Sequence, residues 1–280
     1  FHGGETRETT VNTAAGSFLE RVRGIKEAEV ERRREERSTA ELAARIRDLP
    51  PCRDFAGALR APGVSLIAEI KRRSPSAGAI VPGAVAAEVA RGYAAGGAAA
   101  ISVLTDAAGF GGSLDDMREV RAAVDLPLLR KDFIVDGYQL LEAREAGADA
   151  VLLIAELLDD GELRTLLERA ADAGLACLAE AHGREGLERV VAAGAAVVGI
   201  NNRNLADLSV DPGTALRLLP LVPPGRVRVA ESGIDGPERV REAEAAGADA
   251  VLVGEALMRG GGDAGAVSRL LGAARRRFGP

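Results

Sequence analysis

Short apolar runs recur along the chain, and each follows a segment of small residues that contains glycine. Four of these runs are spaced about 50 residues apart, at residues 101–104, 151–154, 197–200 and 251–253. A glycine of this kind typically ends a helix, and the apolar run behind it is typical of a strand buried on both faces. The interval is too long for one strand and one helix, so it predicts a repeat of two strand–helix units.

Four further runs of the same character lie between the first set, at residues 64–71, 126–131, 176–180 and 226–231. An amphipathic helical pattern follows each of them. Eight strands that alternate with helices predict an α/β fold, a closed (βα)8 or TIM barrel, because right-handed crossovers keep every helix outside the sheet. An open doubly wound sheet is the alternative, and it is less favoured because no G-x-G-x-x-G motif follows the first strand.

Residues 17–48 combine alternating Glu and Arg with apolar residues at mostly helical intervals. This pattern predicts one or two amphipathic helices, which end before Pro50 and Pro51. The chain is therefore predicted to consist of a partly helical extension over residues 1–50, packing on the barrel, and a (βα)8-barrel domain over residues 51–280. No element is predicted for residues 1–10. The extension is expected to present a solvated charged face, with a lid over the barrel mouth as the alternative.

Charge and composition narrow the classes of protein that fit this pattern. The net charge is -6 and the pI is about 5.3, which argues against nucleic acid as a partner because binding a duplex needs clustered basic residues. No apolar run approaches the ~18 residues of a membrane-spanning helix, and the first ten residues lack a basic segment followed by an apolar one. We therefore expect a cytoplasmic protein without a membrane partner.

Cysteine and histidine are too sparse for most metal chemistry. Cys52 and Cys177 are far apart and have no neighbouring Cys or His, so they predict buried thiols rather than a disulfide framework or a zinc site. The only histidines are His2 and His182. A histidine metal cage is therefore excluded, and a histidine-based catalytic triad is not expected.

Charged and polar residues stand where the predicted strands end. Catalytic groups of a (βα)8 barrel lie at the carboxyl ends of its strands, so these residues should meet at one mouth. They are Glu69, Lys71, Lys131, Glu180, Asn201, Arg203 and Glu231. Burying such charges costs stability unless they pair or take part in chemistry. Lys71 can serve as an ion-pair partner of Glu69 or Glu231, and Lys131 can neutralise a carboxylate, so a purely structural role stays open for both.

Two glycine-containing turns follow the last two predicted strands, at Ser232-Gly233 and at Gly254-Glu255. Barrels commonly build a phosphate site from the loops in these positions. Glycine lets backbone N–H groups approach phosphate oxygens, and a short helix that follows adds its positive end. The two turns together indicate a phosphate pocket, whereas either one alone would be read as an ordinary tight turn.

Six segments carry a resemblance to one enzyme family. They are residues 68–76 (AEIKRRSPS), 102–105 (SVLT), 110–114 (FGGSL), 129–134 (LRKDFI), 199–205 (GINNRNL) and 230–234 (AESGI). In these segments the chain closely resembles indole-3-glycerol phosphate synthase, and the likeness extends in order over residues 17–271. Fold-level analogy alone does not produce such an ordered match.

The resemblance implies conversion of 1-(2-carboxyphenylamino)-1-deoxyribulose 5-phosphate to indole-3-glycerol phosphate, with loss of CO2 and water, in tryptophan biosynthesis. It implies no cofactor and no metal, and a small sugar phosphate as the partner. Lys131 would be the general acid that protonates the ketone oxygen as the aryl carbon attacks. Glu180 would act as acid or base in the dehydration, with Lys71 nearby, while Glu69 and Asn201 position the developing hydroxyl.

The same resemblance implies the groups that bind substrate. Arg203 would hold the anthranilate carboxylate, and Glu231 would be a substrate-binding carboxylate. The remaining residues form an aryl pocket (Phe110, Phe133, Leu152), a phosphate site (Ser232, Gly233, Gly254, Glu255, with help from Lys71) and a further contact (Ser74). Two positions depart from the family pattern. Ala256 stands where many relatives have Ser, and Gly183 stands where an acidic residue is frequent.

Two other functions fit parts of the pattern. Lys131 could form a Schiff base with a keto sugar phosphate, as in a class I aldolase. The chain could instead be a non-catalytic sugar-phosphate binding protein, although the presence of Lys131, Glu180 and Asn201 together speaks against this. A monomer or a weak homo-oligomer is expected.

Overall fold

The computed structural model describes residues 17–272, and its central feature is a closed barrel of parallel strands. The barrel strands are β1 (Ser65–Ile70), β2 (Ala100–Leu104), β3 (Leu128–Lys131), β4 (Ala150–Ile154), β5 (Ala176–Ala181), β6 (Val197–Asn201), β7 (Val227–Glu231) and β8 (Ala250–Val253). Closure is complete because β1 pairs with both β2 and β8, with Ile67 opposite Ala100 and Ser65 opposite Ala250. The predicted (βα)8 barrel is confirmed, and the open-sheet alternative is wrong.

Helices precede the barrel and surround it. They are α1 (Phe18–Glu36), α2 (Thr39–Ile46), α3 (Phe55–Ala58), α4 (Ala86–Gly96), α5 (Ala107–Phe110), α6 (Leu114–Ala123), α7 (Gly137–Glu145), α8 (Asp160–Asp172), α9 (Arg184–Ala192), α10 (Gly213–Leu218), α11 (Pro237–Ala245), α12 (Glu255–Arg259) and α13 (Ala264–Leu271). A 3-10 turn, Leu219–Leu221, extends α10, and a small hairpin pairs Arg73–Ser74 with Gly78–Ala79 after β1. None of the helices within residues 17–272 is long and apolar enough to cross a membrane.

The glycines of the sequence repeat lie directly after helices, as predicted. Gly147 follows α7 with φ +91°, and Gly247 follows α11 with φ +93°. Only glycine adopts this left-handed conformation without strain, so it can end a helix and turn the chain sharply into the next strand. The repeated helix–glycine–strand pattern is therefore the local geometry that places each strand in the barrel.

The core is built from aliphatic side chains, in keeping with the low aromatic content. Each of β1, β2, β4, β6 and β8 is buried along its whole length. Strands covered on both faces need apolar side chains in every position except where chemistry requires otherwise. The buried charged residues near the strand ends are consequently the exceptions that mark a site.

The extension forms two helices, α1 and α2, and each begins with a capping box. Ser17 and Glu20 cap α1, while Ser38 and Glu41 cap α2. The side-chain oxygen of the serine accepts from the N3 backbone N–H, and the glutamate accepts from the backbone N–H of the serine. The hydroxyl of Tyr138 in α7 lies 2.9 Å from the carbonyl oxygens of both Arg33 and Arg37 and shares its one proton between them, which fixes the end of α1 on the barrel.

Helix α1 combines features of the two alternatives that its sequence left open, a solvated charged face and a segment that covers the barrel mouth. Most of its charged residues are solvated, but Lys26 is buried at 1 % exposure and Phe18 reaches the barrel mouth. Phe18 packs edge-on against Phe133 with ring centroids 6.2 Å apart. The helix is therefore a solvated surface on one side and part of the wall of the mouth on the other.

Candidate active site

A cavity of about 340 Å³ opens at the carboxyl ends of the barrel strands. All the residues predicted for the site line it, namely Glu69, Lys71, Ser74, Phe110, Lys131, Phe133, Leu152, Glu180, Asn201, Arg203, Glu231, Ser232, Gly233, Gly254 and Glu255. They come from every barrel strand or from the loop that follows it. This position and mixed apolar and charged lining are typical of an active site in this fold.

Lys131 stands at the end of β3 and is held between two carboxylates. Its Nζ lies 3.3 Å from Glu180 Oε2 and 3.8 Å from Glu231 Oε2. Burial lowers the pKa of Lys131, but the charges of Glu180, Glu231 and Glu69 outweigh burial and raise the pKa above its usual value. Lys131 is therefore a protonated ammonium at neutral pH, and it lines a cavity that has an apolar wall.

Glu180 is fixed by a second partner on the neighbouring strand. Asn201 Nδ2 donates to Glu180 Oε1 at 2.9 Å, and Asn201 Oδ1 accepts from the backbone N–H of Arg203 at 2.9 Å. The Glu180 side chain is only 2 % exposed. Asn201 thus orients one oxygen of Glu180 while Lys131 binds the other, which leaves the carboxylate with one defined direction.

Glu231, at the end of β7, is buried with one oxygen unpaired. Its Oε1 has no hydrogen-bond partner within residues 17–272. Burial raises the pKa of Glu231 well above its usual value, the charge of Glu180 adds to this, and Lys131 opposes it. Room for the carboxyl group comes from Gly199 on β6, because a Cβ there would collide with Oε1. Oε1 is therefore directed to the barrel wall at Gly199, whereas Oε2 faces Lys131.

Glu69 and Lys71 form the second ion pair of the mouth. Lys71 Nζ lies 3.0 Å from Glu69 Oε1, so of the two partners left open for Lys71 the structure has Glu69. Gly254, at the end of β8, makes space for Glu69, since a Cβ on Gly254 would come within 2.5 Å of Glu69 Oε1. Gly254 therefore has a steric function next to Glu69 in addition to its predicted place in a phosphate site.

The two predicted phosphate turns have the expected position, and the first of them has an unusual backbone. Ser232 has φ +62° and Gly233 has φ +68°, and Gly254 stands directly before α12. Residues of both turns line the same cavity. The carboxylate of Glu255 is directed to Arg259, with Oε1 3.0 Å from Arg259 Nε, and this pairing offsets a negative charge close to the expected place of a phosphate.

An apolar wall faces the charged residues. Phe110 and Phe133 pack with ring centroids 6.3 Å apart at an angle of 44°, and Leu152 of β4 lines the same cavity. Arg203 follows β6 in the lining, and its Nη1 donates to the carbonyl of Leu208 at 2.9 Å. Ser74 lies in the loop after β1, and its Oγ accepts from the backbone N–H of Ala77 at 3.1 Å.

Lys26 and Arg130, which do not line the cavity, form buried ion pairs with residues that do. Lys26 Nζ lies 2.6 Å from Asp106 and 3.0 Å from Asp132. Arg130 is completely buried on the helix side of β3, where it donates to the carbonyl of Gln139 in α7 and binds Asp132 at 3.1 Å. Burial raises the pKa of Asp132, but Arg130 and Lys26 outweigh it and bring the pKa to about 2. A sequence motif gives no signal for Lys26, because its partners are far away along the chain.

No metal centre accompanies this arrangement within residues 17–272, where no group of three or more His, Cys, Asp or Glu side chains could hold an ion. His182 lies outside the cavity lining, with Nδ1 3.0 Å from the carbonyl oxygen of Asn201. Cys52 and Cys177 are free thiols that are half-buried rather than fully buried. The chemistry available at the mouth is therefore that of one lysine ammonium held by carboxylates, a second ion pair, an arginine and backbone amides.

Similarity to known proteins points to one family. The family model described as Indole-3-glycerol phosphate synthase matches residues 19–270. A protein named indole-3-glycerol phosphate synthase from Nocardioides sp. is 56% identical over 84% of this chain and 90% of its own length. One named indole-3-glycerol phosphate synthase 2 from Streptomyces coelicolor is 49% identical over 88% of this chain and 95% of its own length.

A solved structure gives an independent comparison of the fold. The thiamine phosphate pyrophosphorylase from Pyrococcus furiosus superposes with a TM-score of 0.59 at 21% sequence identity, covering 77% of this chain and 98% of its own. At this low identity the likeness supports the barrel fold alone.

Proposed function

This chain belongs to the indole-3-glycerol phosphate synthase family, and we propose that it closes the indole ring of its carboxyphenylamino-deoxyribulose phosphate substrate with Lys131 as the general acid. The family model and the relatives cover nearly the whole barrel. The observation that carries the residue assignment is the position of Lys131, a protonated ammonium between Glu180 and Glu231 that faces an apolar wall.

Ring closure forms a carbon–carbon bond between the aryl carbon that bears the carboxylate and the ketone carbon of the sugar. Negative charge develops on the ketone oxygen, and a fixed ammonium stabilises that charge more in the transition state than in the ground state. Lys131 gives its proton to this oxygen, which becomes a hydroxyl. The aryl carboxylate then leaves as CO2, and the electron pair of the broken bond restores the aromatic ring.

Dehydration completes the reaction. Glu180 accepts the proton from the carbon next to the new hydroxyl, while the hydroxyl leaves as water after protonation by Lys71. Two features support this division: Asn201 and Lys131 give the Glu180 carboxylate a fixed direction, and Lys71 is the second lysine of the mouth. Glu69 orients Lys71 through their ion pair.

Substrate binding follows from the two sides of the cavity. Phe110, Phe133 and Leu152 enclose the aryl ring, and apolar surface beside the carboxylate favours its departure as neutral CO2. Arg203 holds that carboxylate before it leaves. The turns at Ser232-Gly233 and Gly254-Glu255 bind the phosphate through backbone N–H groups, and Glu231, which lines the same cavity, accepts a sugar hydroxyl.

The Schiff-base alternative requires a neutral lysine amine. Nucleophilic lysines are activated by a lowered pKa, whereas the pKa of Lys131 is raised by three carboxylates. This difference favours acid catalysis over an aldolase mechanism. The division at residue 50 into extension and barrel domain, the cytoplasmic location, and the monomer or weak homo-oligomer stay predictions of the sequence.

The direct test is incubation of the purified chain with 1-(2-carboxyphenylamino)-1-deoxyribulose 5-phosphate while indole fluorescence is recorded. We expect the fluorescent product to appear without added metal or cofactor. Borohydride added during turnover should leave the protein mass unchanged. A covalent adduct on Lys131 together with absent indole fluorescence would support the aldolase instead.

A further inference from the structure

Asn202 is a buried polar residue that stands directly after β6 and does not line the cavity. It is 3 % exposed. Its side chain makes two hydrogen bonds: Nδ2 donates to the carbonyl oxygen of Ser232 at 2.9 Å, and Oδ1 accepts from the backbone N–H of Ala215 at 2.8 Å. The amide thus connects the end of β6, the turn after β7 and helix α10.

The residue that Asn202 binds has a strained backbone. Ser232 has φ +62° and is one of two non-glycine residues with positive φ within residues 17–272, the other being Leu208. For an L-residue with a side chain this conformation is disfavoured, so a surrounding contact must hold it in place. The hydrogen bond from Asn202 is such a contact, because it fixes the carbonyl of Ser232 itself.

Fixing that carbonyl also fixes the next backbone amide. The Ser232 carbonyl and the Gly233 N–H belong to one planar trans peptide, so they point in opposite directions. Since the carbonyl is directed to Asn202, which lies outside the cavity lining, the Gly233 N–H is directed the other way. Gly233 itself lines the cavity.

We infer that Asn202 is a positioning residue for the phosphate group of the substrate. It holds Ser232 in the left-handed conformation and thereby presents the Gly233 N–H to the phosphate without touching it. This inference rests on the proposed function for the phosphate site, and it adds a residue outside the cavity that determines the affinity of that site.

The inference predicts a specific dependence on the residue at position 232. In Asn202→Ala the Ser232 turn relaxes in the free protein, and binding must then restore the left-handed conformation, which should weaken phosphate affinity about 5- to 30-fold. In a Ser232→Gly background the conformation has no steric cost, so adding Asn202→Ala should weaken affinity less than about threefold.

Calorimetric titration with inorganic phosphate measures this affinity independently of turnover. We would compare wild type, Asn202→Ala, Ser232→Gly and the double variant. Asn202→Asp is a second test, because it keeps an acceptor for the Ala215 N–H and removes the donor to Ser232. It should weaken phosphate affinity by a factor similar to that of Asn202→Ala. Asn204→Ala is the matched control: its Oδ1 accepts from Ala206 N–H in the same loop, away from Ser232, and its phosphate affinity should match wild type. KM should rise with the phosphate dissociation constant, while kcat changes less.

Several results would overturn the inference. One is phosphate affinity within twofold of wild type in folded Asn202→Ala or Asn202→Asp, including the case in which only the melting temperature falls. Another is an equal loss of affinity whether position 232 keeps its serine or carries the Ser232→Gly substitution, which would mean that Asn202 does not act through the conformation of this residue. Failure of wild type to convert substrate while it still binds phosphate would count against the proposed reaction and leave the phosphate result intact.

Discussion

Among the residues at the mouth, Glu231 has a carboxyl group whose burial should be visible in the pH dependence of stability. Its pKa is raised well above 4.5 by burial and by Glu180. A group whose pKa is raised on folding binds its proton more tightly in the folded state. Its contribution to stability is therefore complete below its unfolded pKa and is lost as the pH rises through its folded pKa.

Glu231→Gln should remove this loss. We expect the difference in melting temperature, variant minus wild type, to be larger at pH 8 than at pH 5 by at least about 2 °C. This change corresponds to roughly 1 kcal/mol in a protein of this size. Glu188→Gln, at an exposed position near Arg184, should show no such change. Differential scanning calorimetry across this pH range decides the matter, and parallel curves for wild type and Glu231→Gln would show that Glu231 is not the titrating group.

Phe110 and Phe133 should contribute mainly apolar contact with the aryl ring. Truncation of either residue to Ala should lower kcat/KM, with a loss of transition-state stabilisation of about 1 to 3 kcal/mol, as expected from the apolar surface that is lost. A substrate with a methyl group on the anthranilate ring should recover part of the loss by filling the space. Steady-state kinetics with both substrates measures the effect, and wild-type kcat/KM in both variants would place the ring elsewhere.

At the scale of elements, a buried cation joins helix α1 to the barrel in addition to the contacts of Tyr138 and Phe18. Lys26 bridges the loops after β2 and β3 through Asp106 and Asp132. Burial lowers the pKa of Lys26, but these two carboxylates outweigh it and raise the pKa. Asp132 stands between Lys131 and Phe133 in the chain, so the bridge couples the extension to the part of the rim that carries the proposed acid.

Lys26→Met should leave the buried Asp106 without its cation, and Asp132 with Arg130 alone. Breaking such a buried arrangement costs about 3 to 5 kcal/mol, so we expect the melting temperature to fall by roughly 10 °C. Arg32→Met, an exposed position on the same helix, should change stability by less than about 0.5 kcal/mol. Thermal unfolding of both variants tests this, and equal melting temperatures would show that α1 is held by other contacts.

The strand and helix pattern could be predicted from the sequence because it depends on local periodicity. The site residues could be placed for a related reason: Glu69, Lys131 and Glu231 each end a parallel strand, and such ends meet at one rim. Lys26, Gly199 and Asn202 could not be found in this way. Their functions depend on which distant residue each one faces, and neither hydrophobic pattern nor composition contains that information.

For the molecule as a whole, function depends on closure of the barrel. Lys131, Glu180 and Glu231 are far apart in the chain, and the approach of both carboxylates to within 4 Å of Lys131 Nζ requires β3, β5 and β7 to end at one height. The same closure brings Phe110 and Phe133 into one cavity with these charges. The central claim is that this assembled rim performs ring closure through Lys131.

The most direct measurement is a single-turnover reaction with substrate labelled in the aryl carboxylate, following labelled CO2 and indole product together. Wild type should release one CO2 per indole. Lys131→Met keeps the side-chain stem and deletes the charge, so it should lower the rate at least about 10²-fold with less than about tenfold change in substrate affinity. Lys71→Met, the matched lysine variant, should still release labelled CO2 but form indole more slowly, because Lys71 is proposed to act in the dehydration. Near-normal turnover in a folded Lys131→Met protein would contradict the proposed mechanism.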